Sequence, residues 1–244
     1  MIIRYDADGK KYLYDIINIK KEPSTPLGQI YHLRTVKNRF FSKLLYTIKK
    51  KKSSIILQNK GESPMHTLYF VRHGQTIWNV ENKICGATDI ALTDLGHQQA
   101  IETGKKILEE GIQADEILYS PLVRAAETAR HISEVTGIPA RMEPRLIEQN
   151  FGKWESTPRD GADFRKAKEQ FLSRFEGGES MLQVAQRIYN LLDDLKAEKE
   201  KTYILVAHNG IARVVQSYFY EMTNEEYASF GVRNCAVVRY EFPE

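Results

Sequence analysis

Three apolar runs limit what this chain can fold into: "TLYFV" at 67–71, "EILYS" at 116–120 and "TYILVA" at 202–207. The first and last are continuous rather than alternating, the pattern of strands buried on both faces of a helix-covered parallel sheet. Helical periods separate them. Thr93 predicts the cap of a helix with Ala100, Ile101, Gly104, Ile107 and Leu108 on one face, stopped by Gly111. Ser120-Pro121 predicts the N-cap and first position of a second helix, running toward Gly137. "IPARME" predicts a short edge strand, because Pro139 does not suit a central one. Met181, Val184, Ala185, Ile188, Leu191, Leu192 and Leu195 predict a third helix, "GIARVVQSYFYEM" a fourth, and "CAVVRYEF" a last strand. This alternation predicts an α/β protein, a three-layer αβα sandwich with a mostly parallel central sheet.

The 244 residues, 42% hydrophobic and 27% charged, suit one globular domain plus an appendage. No apolar run approaches the roughly 20 residues of a membrane span, and the start of the chain lacks the apolar core of a secretory signal. The expectation is a cytoplasmic protein with no membrane partner. Cys85 and Cys235 are too few and too far apart for a disulfide framework or a four-cysteine metal site, and read as small buried hydrophobes.

Charge divides the chain. Residues 1–64 carry 14 Lys and Arg against 5 Asp and Glu, and residues 65–244 carry 21 against 27. The basic segment has a lysine run at Lys49 to Lys52 and no sustained period, so it reads as a solvated tail rather than a nucleic-acid tether. Codons for Lys60-Gly61-Glu62 can contain a bacterial ribosome-binding sequence just ahead of Met65. The expected organisation is therefore a basic extension at 1–64, outside the native domain, and one domain at 65–244 starting naturally at Met65.

Three strand ends carry residues that a purely structural design would avoid. The first run ends in Arg72-His73-Gly74, the second in Ser120-Pro121-Leu122-Val123-Arg124, and the third in His208-Asn209-Gly210. In a parallel sheet these ends share one edge, where ligands bind in open α/β folds. Gly74 is expected to bring the backbone close to a bound group with its N–H free to donate. Arg72 offers a planar fork for phosphate oxygens. Arg124 falls in a first helical turn, where the dipole disfavours a cation unless an anion is bound. Two histidines and two arginines on one edge predict a pocket for a dianionic phosphate.

At this point the chain, from Thr67 to its end, resembles the histidine phosphatase superfamily, also called phosphoglycerate mutase-like. "VRHGQTIWN", "GATDIALTDLGHQQA", "YSPLVRAAETA", "LIEQNFGKWE", "GGES" and "VAHNG" occur in the family's order. The resemblance implies that His73 is the nucleophile and forms a phosphohistidine. It implies that Arg72, Arg124 and His208 clamp the phosphoryl oxygens, with Asn79 and the backbone N–H of Asn209 as further donors. Glu148 is then the general acid and base, and Glu155 either a less favoured substitute or a residue that holds the site. Trp78 and Trp154 are read as pocket lining or packing, and His97 and His131 as structural. Gln75 stands where the family often has glutamate, and Ser156 where glycine often follows Trp-Glu.

The resulting expectation is a metal-independent, acid-type phosphomonoester hydrolase without a cofactor, acting on a small phosphorylated metabolite. Its alternatives are a cofactor-dependent phosphoglycerate mutase and a non-catalytic phosphate-binding module. Only residues 149–176 separate Glu148 from Gly177, and the chain stops at "EFPE", less than the resemblance associates with mutases. Lys153, Arg159, Arg165, Lys166 and Lys168, interleaved with aromatics, are expected to build the cap over the site.

Overall fold

The computed structural model describes residues 2–5, 11–14 and 66–242. The chain divides into two compact units, Met1–Glu62 and Ser63–Glu244. In the first, strands β1 (Ile2–Tyr5) and β2 (Lys11–Tyr14) pair antiparallel, with Ile2 opposite Tyr14. The expectations for the lysine run and for the start at Met65 lie outside the described residues.

The second unit is built on five strands. In chain order they are β3 (Thr67–Arg72), β4 (Glu116–Tyr119), β5 (Ala140–Met142), β6 (Tyr203–Ala207) and β7 (Val237–Glu241), and in space they run β5-β4-β6-β3-β7. The first four are mutually parallel, and β7 lies antiparallel on the edge beside β3. β6 is buried at every residue, as its continuous apolar run requires.

Helices cover both faces. Leu68, Phe70 and Leu205 point into one layer, against Val184, Ile188 and Leu191 of α5 (Met181–Ala197) and Ile211, Val214 and Val215 of α6 (Asn209–Phe219). Val71, Ile204 and Val206 point the other way, against Ile107 of α2 (Asp94–Glu109) and Ala125, Ala129 and Ile132 of α3 (Val123–Thr136). The period-two reversal of β3 thus divides the core into the two expected layers. No helix among the described residues is long and apolar enough to cross a membrane.

The predicted caps hold in part. The Thr93 side chain accepts from Gly96 N–H as predicted, and at the start of α5, where no cap was predicted, Ser180 and Gln183 form a reciprocal capping box. Two expectations are corrected. On α2 the buried stripe includes Ala100, Gly104 and Ile107, but Leu108 is 53% exposed, because it falls with Lys105 and Glu109 on the solvent side of the helix. The N-cap of α3 is Leu122, not Ser120, and Asp89 from a distant loop accepts the Val123 N–H at 2.7 Å in place of a local cap. Ser120 is thereby left for another partner.

Three short helices complete the unit: α1 (Ile77–Val80), α4 (Ala162–Lys168) and α7 (Asn224–Ser229). Between Glu148 and α5, a 3₁₀ turn at Gly152–Trp154 and α4 form a cap around a separate aromatic cluster of Phe151, Phe164 and Phe175 packed on Ile84. Trp154 supports this cluster, its ring 5.8 Å from Phe164.

Candidate active site

The carboxyl ends of β3 and β6 are in register, Arg72 opposite Ala207, and the end of β4 lies beside them, Tyr119 opposite Val206. Sheet geometry alone therefore brings His73 and His208 together, with ring centroids 5.1 Å apart. A pocket opens above them, lined by Arg72, His73, Asn79, Glu148, Asn209 and Gly210 from the sheet edge, and by Cys85, Phe151, Arg159, Phe164, Lys168 and Arg213 around it.

His73 is 4% exposed, and its Nδ1 lies 2.7 Å from the Gly74 carbonyl. A carbonyl only accepts, so Nδ1 carries the proton and Nε2 keeps its lone pair. Burial, reinforced by the positive charges of Arg124 and Arg72, pushes the His73 pKa well below the ordinary imidazole value. The ring is thus neutral at pH 7, the state a nucleophile needs.

Glu148 is 4% exposed and held from two sides, by Gln149 N–H and by Gly210 N–H, each at 2.9 Å. A Cβ on Gly210 would stand 2.4 Å from Glu148 Oε1, so only glycine lets the carboxyl come this close to α6.

Arg72 donates through Nη1 to the Val232 carbonyl at 2.8 Å, while its buried Nε has no partner among the described residues. Burial and the nearby Arg159 lower its pKa to about 10. Asn79 is fixed by Thr76 N–H and by Asn234 Nδ2, both on its Oδ1, and Asn209 Oδ1 accepts from Val232 N–H at 2.8 Å. Both amides therefore present their NH₂ groups as the remaining donors. The Asn209 backbone N–H sits in the first turn of α6, where such groups lack intrahelical partners.

Arg124 and His208 stand behind this front rather than in it. Both are fully buried, and neither lines the pocket. The Arg124 guanidinium donates to the Gly86 carbonyl at 2.7 Å, to the Thr88 carbonyl at 2.9 Å and, through Nε, to His208 Nδ1 at 3.2 Å. His208 Nε2 in turn donates to Ser120 Oγ at 2.6 Å. Burial and the Arg124 charge push the His208 pKa well below the ordinary value, so it too is neutral. The Gly74 N–H, expected to be free, donates to Thr128 Oγ1 at 3.0 Å. That correction follows from close packing, since a Cβ on Gly74 would stand 2.4 Å from the Gly96 carbonyl.

Glu155 does not line the pocket. It accepts from Ala87, Thr88 and Phe151 N–H groups and so orders the loop whose carbonyls receive Arg124. Trp78 and Trp154 also lie outside the lining. Four contributors were not foreseen. Asn234 donates to the His73 carbonyl at 2.8 Å, Thr128 and Ser120 anchor the residues named above, and Arg213 reaches the pocket from α6. Three of the four had a signal in the sequence: Ser120 at the second strand end, and Thr128 and Arg213 one helical turn after Arg124 and Asn209.

A neutral imidazole, a carboxyl and a bank of fixed cations at the carboxyl edge of a parallel sheet define a phosphoryl-handling site. The family model for the histidine phosphatase superfamily (branch 1) matches residues 68–244, and the chain belongs to that superfamily. It is 32% identical to the "Probable phosphoglycerate mutase GpmB" of Erwinia tasmaniensis, over 72% of this chain and 85% of that protein. Among solved structures it is similar to a mycobacterial glucosyl-3-phosphoglycerate phosphatase in complex with VO3, with TM-score 0.63 and 27% identity over 71% of this chain and 90% of that one. The alpha-ribazole phosphatase of Shigella flexneri shares the fold, with TM-score 0.61 and 24% identity over 71% of this chain and 89% of that one.

Proposed function

We propose that residues 65–244 form a phosphomonoester hydrolase acting through a phosphohistidine. The observation that carries this reading is the neutral, buried His73, its Nδ1–H tied to the Gly74 carbonyl and its Nε2 left with a lone pair in a pocket that also holds Glu148. In the first step His73 Nε2 bonds to phosphorus and the ester P–O bond breaks. The leaving oxygen takes its proton from Glu148. In the second step water bonds to phosphorus, Glu148 takes the water's proton, and the P–N bond breaks to release phosphate and restore neutral His73. Arg72, Asn79 and Asn209 hold the equatorial oxygens. Arg124 and His208 fix the field and the floor from behind. In this scheme no step calls on a metal ion or cofactor.

The lining also supports a substrate class. Arg72, Arg159, Lys168 and Arg213 face the pocket against one carboxylate, Glu148, and none of the four is in an ion pair among the described residues. Burial and mutual repulsion lower the pKa values of Arg159 and Lys168. With Glu148 either ionised or carrying the proton it delivers, a phosphate dianion leaves at least one of these positive charges uncompensated, so the preferred substrate is a small phosphomonoester bearing a second anionic group. A phosphoglycerate mutase is the second reading, favoured by the name of the Erwinia relative.

The test is a burst experiment with a phosphorylated small molecule. Acid-sensitive, base-stable phosphoprotein should accumulate in wild type, and His73→Ala should abolish both the adduct and turnover with its circular dichroism unchanged. Turnover in His73→Ala, or an adduct on another residue, would remove the proposed nucleophile.

A further inference from the structure

Two histidines that the phosphoryl chemistry does not use stand against each other on the opposite layer. His97, in the first turn of α2, brings Nδ1 to 2.9 Å from His131 Nε2 on α3. Glu127, one turn before His131, adds a carboxylate oxygen, and the three ligand-type atoms lie within 4.8 Å of one another. All three residues are half-buried.

The 2.9 Å contact is a hydrogen bond with one proton between two nitrogens, and an ion entering the cluster would take that proton's place. The other nitrogen of His131, Nδ1, faces Glu134 Oε2 at 3.7 Å. The supports are close-packed as well. Gly104 on α2 approaches α3 so closely that a Cβ there would stand 2.8 Å from Val135 Cβ.

We infer that His97, Glu127 and His131 form a binding site for a divalent transition cation of the zinc class, separate from the phosphate pocket. Two imidazoles and a carboxylate suit a borderline cation, whereas calcium and magnesium select oxygen donors. Three protein ligands leave a coordination position for water. The competing cation is Arg130, which bonds Glu127 at 2.8 Å and Glu134 at 2.6 Å and reaches 3.3 Å from His131 Nε2. It is exposed, and it can keep Glu134 while releasing Glu127. The bound ion clips α2 to α3. His97 follows Gly96, whose carbonyl backs Gly74, and α3 carries Arg124, but none of the three ligands lines the phosphate pocket.

The full chain, stripped with a chelator, is titrated with Co2+ and with Zn2+. One equivalent of Co2+ should give a saturable d–d absorption band, and equimolar Zn2+ should raise Tm by several degrees. Both responses should vanish in His97→Gln and His131→Gln, and Glu134→Gln should weaken binding about 10-fold. Each variant should hydrolyse aryl phosphates at the wild-type rate, which reports an intact fold. Glu127→Gln, a near-isosteric change, serves where a histidine variant does not fold. Identical spectra and Tm shifts in wild type and variants, or no response to one equivalent of either ion, overturn the site.

Discussion

Gly210 decides where the carboxyl of Glu148 stands, and in the proposed mechanism Glu148 decides which esters are cleaved quickly. A positioned carboxylic acid contributes about 10²–10⁴ to the rate when the leaving oxygen is basic, and little when it is not. The Gln149 and Gly210 N–H groups donate to different oxygens of Glu148, so Glu148→Gln keeps only one of these hydrogen bonds, and it cannot deliver the proton. Alkyl phosphates should therefore lose about 10²–10⁴ in kcat/KM, and activated aryl phosphates far less. Equal losses on both classes would take Glu148 out of the acid role. At this scale the sequence was most legible where a residue's role follows from its strand. His73 and His208 are brought together by register alone. Arg124 was less legible, because its position depends on the carbonyls of Gly86 and Thr88, and those depend on Glu155 some 67 residues further along. Contacts between loops distant in sequence leave no local periodicity to read.

Elements built from one continuous period were readable to within a residue or two. The α5 stripe and its Ser180 box are encoded locally, and β6 announces itself by unbroken apolarity. The N-cap of α3 was misplaced because the Asp89 carboxylate that replaces a local cap comes from elsewhere in the chain. The cap over the site shows the same dependence at Ser156. The related family often has glycine there, and in this chain Ser156 adopts φ 66° in the left-handed region. An L-residue in that conformation costs about 1–2 kcal/mol, and glycine's extra unfolded-state freedom returns about 0.5–1 kcal/mol of that. Ser156→Gly should therefore stabilise the protein by about 0.5–1 kcal/mol, read as a higher urea midpoint at unchanged m-value. A fall in the midpoint would show that the serine side chain contributes more than the strain removes.

On the scale of the whole molecule, the competition between water and a second acceptor decides between hydrolase and mutase. A mutase must keep water from the phosphohistidine while its intermediate stays bound, which requires polypeptide closed over the pocket. Here the segment between Glu148 and Gly177 contributes a 3₁₀ turn and the seven-residue helix α4, and much of its apolar surface is turned inward to the cluster of Phe151, Phe164 and Phe175. The side it offers the pocket is cationic, through Arg159 and Lys168, and draws in hydrated anions rather than sealing a dry chamber. Water should win. Several monoesters carrying a second anionic group should release inorganic phosphate. 2- and 3-phosphoglycerate should interconvert negligibly even with the bisphosphate primer present. Raising ionic strength should increase KM for the doubly anionic substrates more than for aryl phosphates, since the outer cations act through charge. Rapid primer-dependent interconversion with little free phosphate would instead show that the short cap does exclude water, and would move the chain to the mutase side of its family.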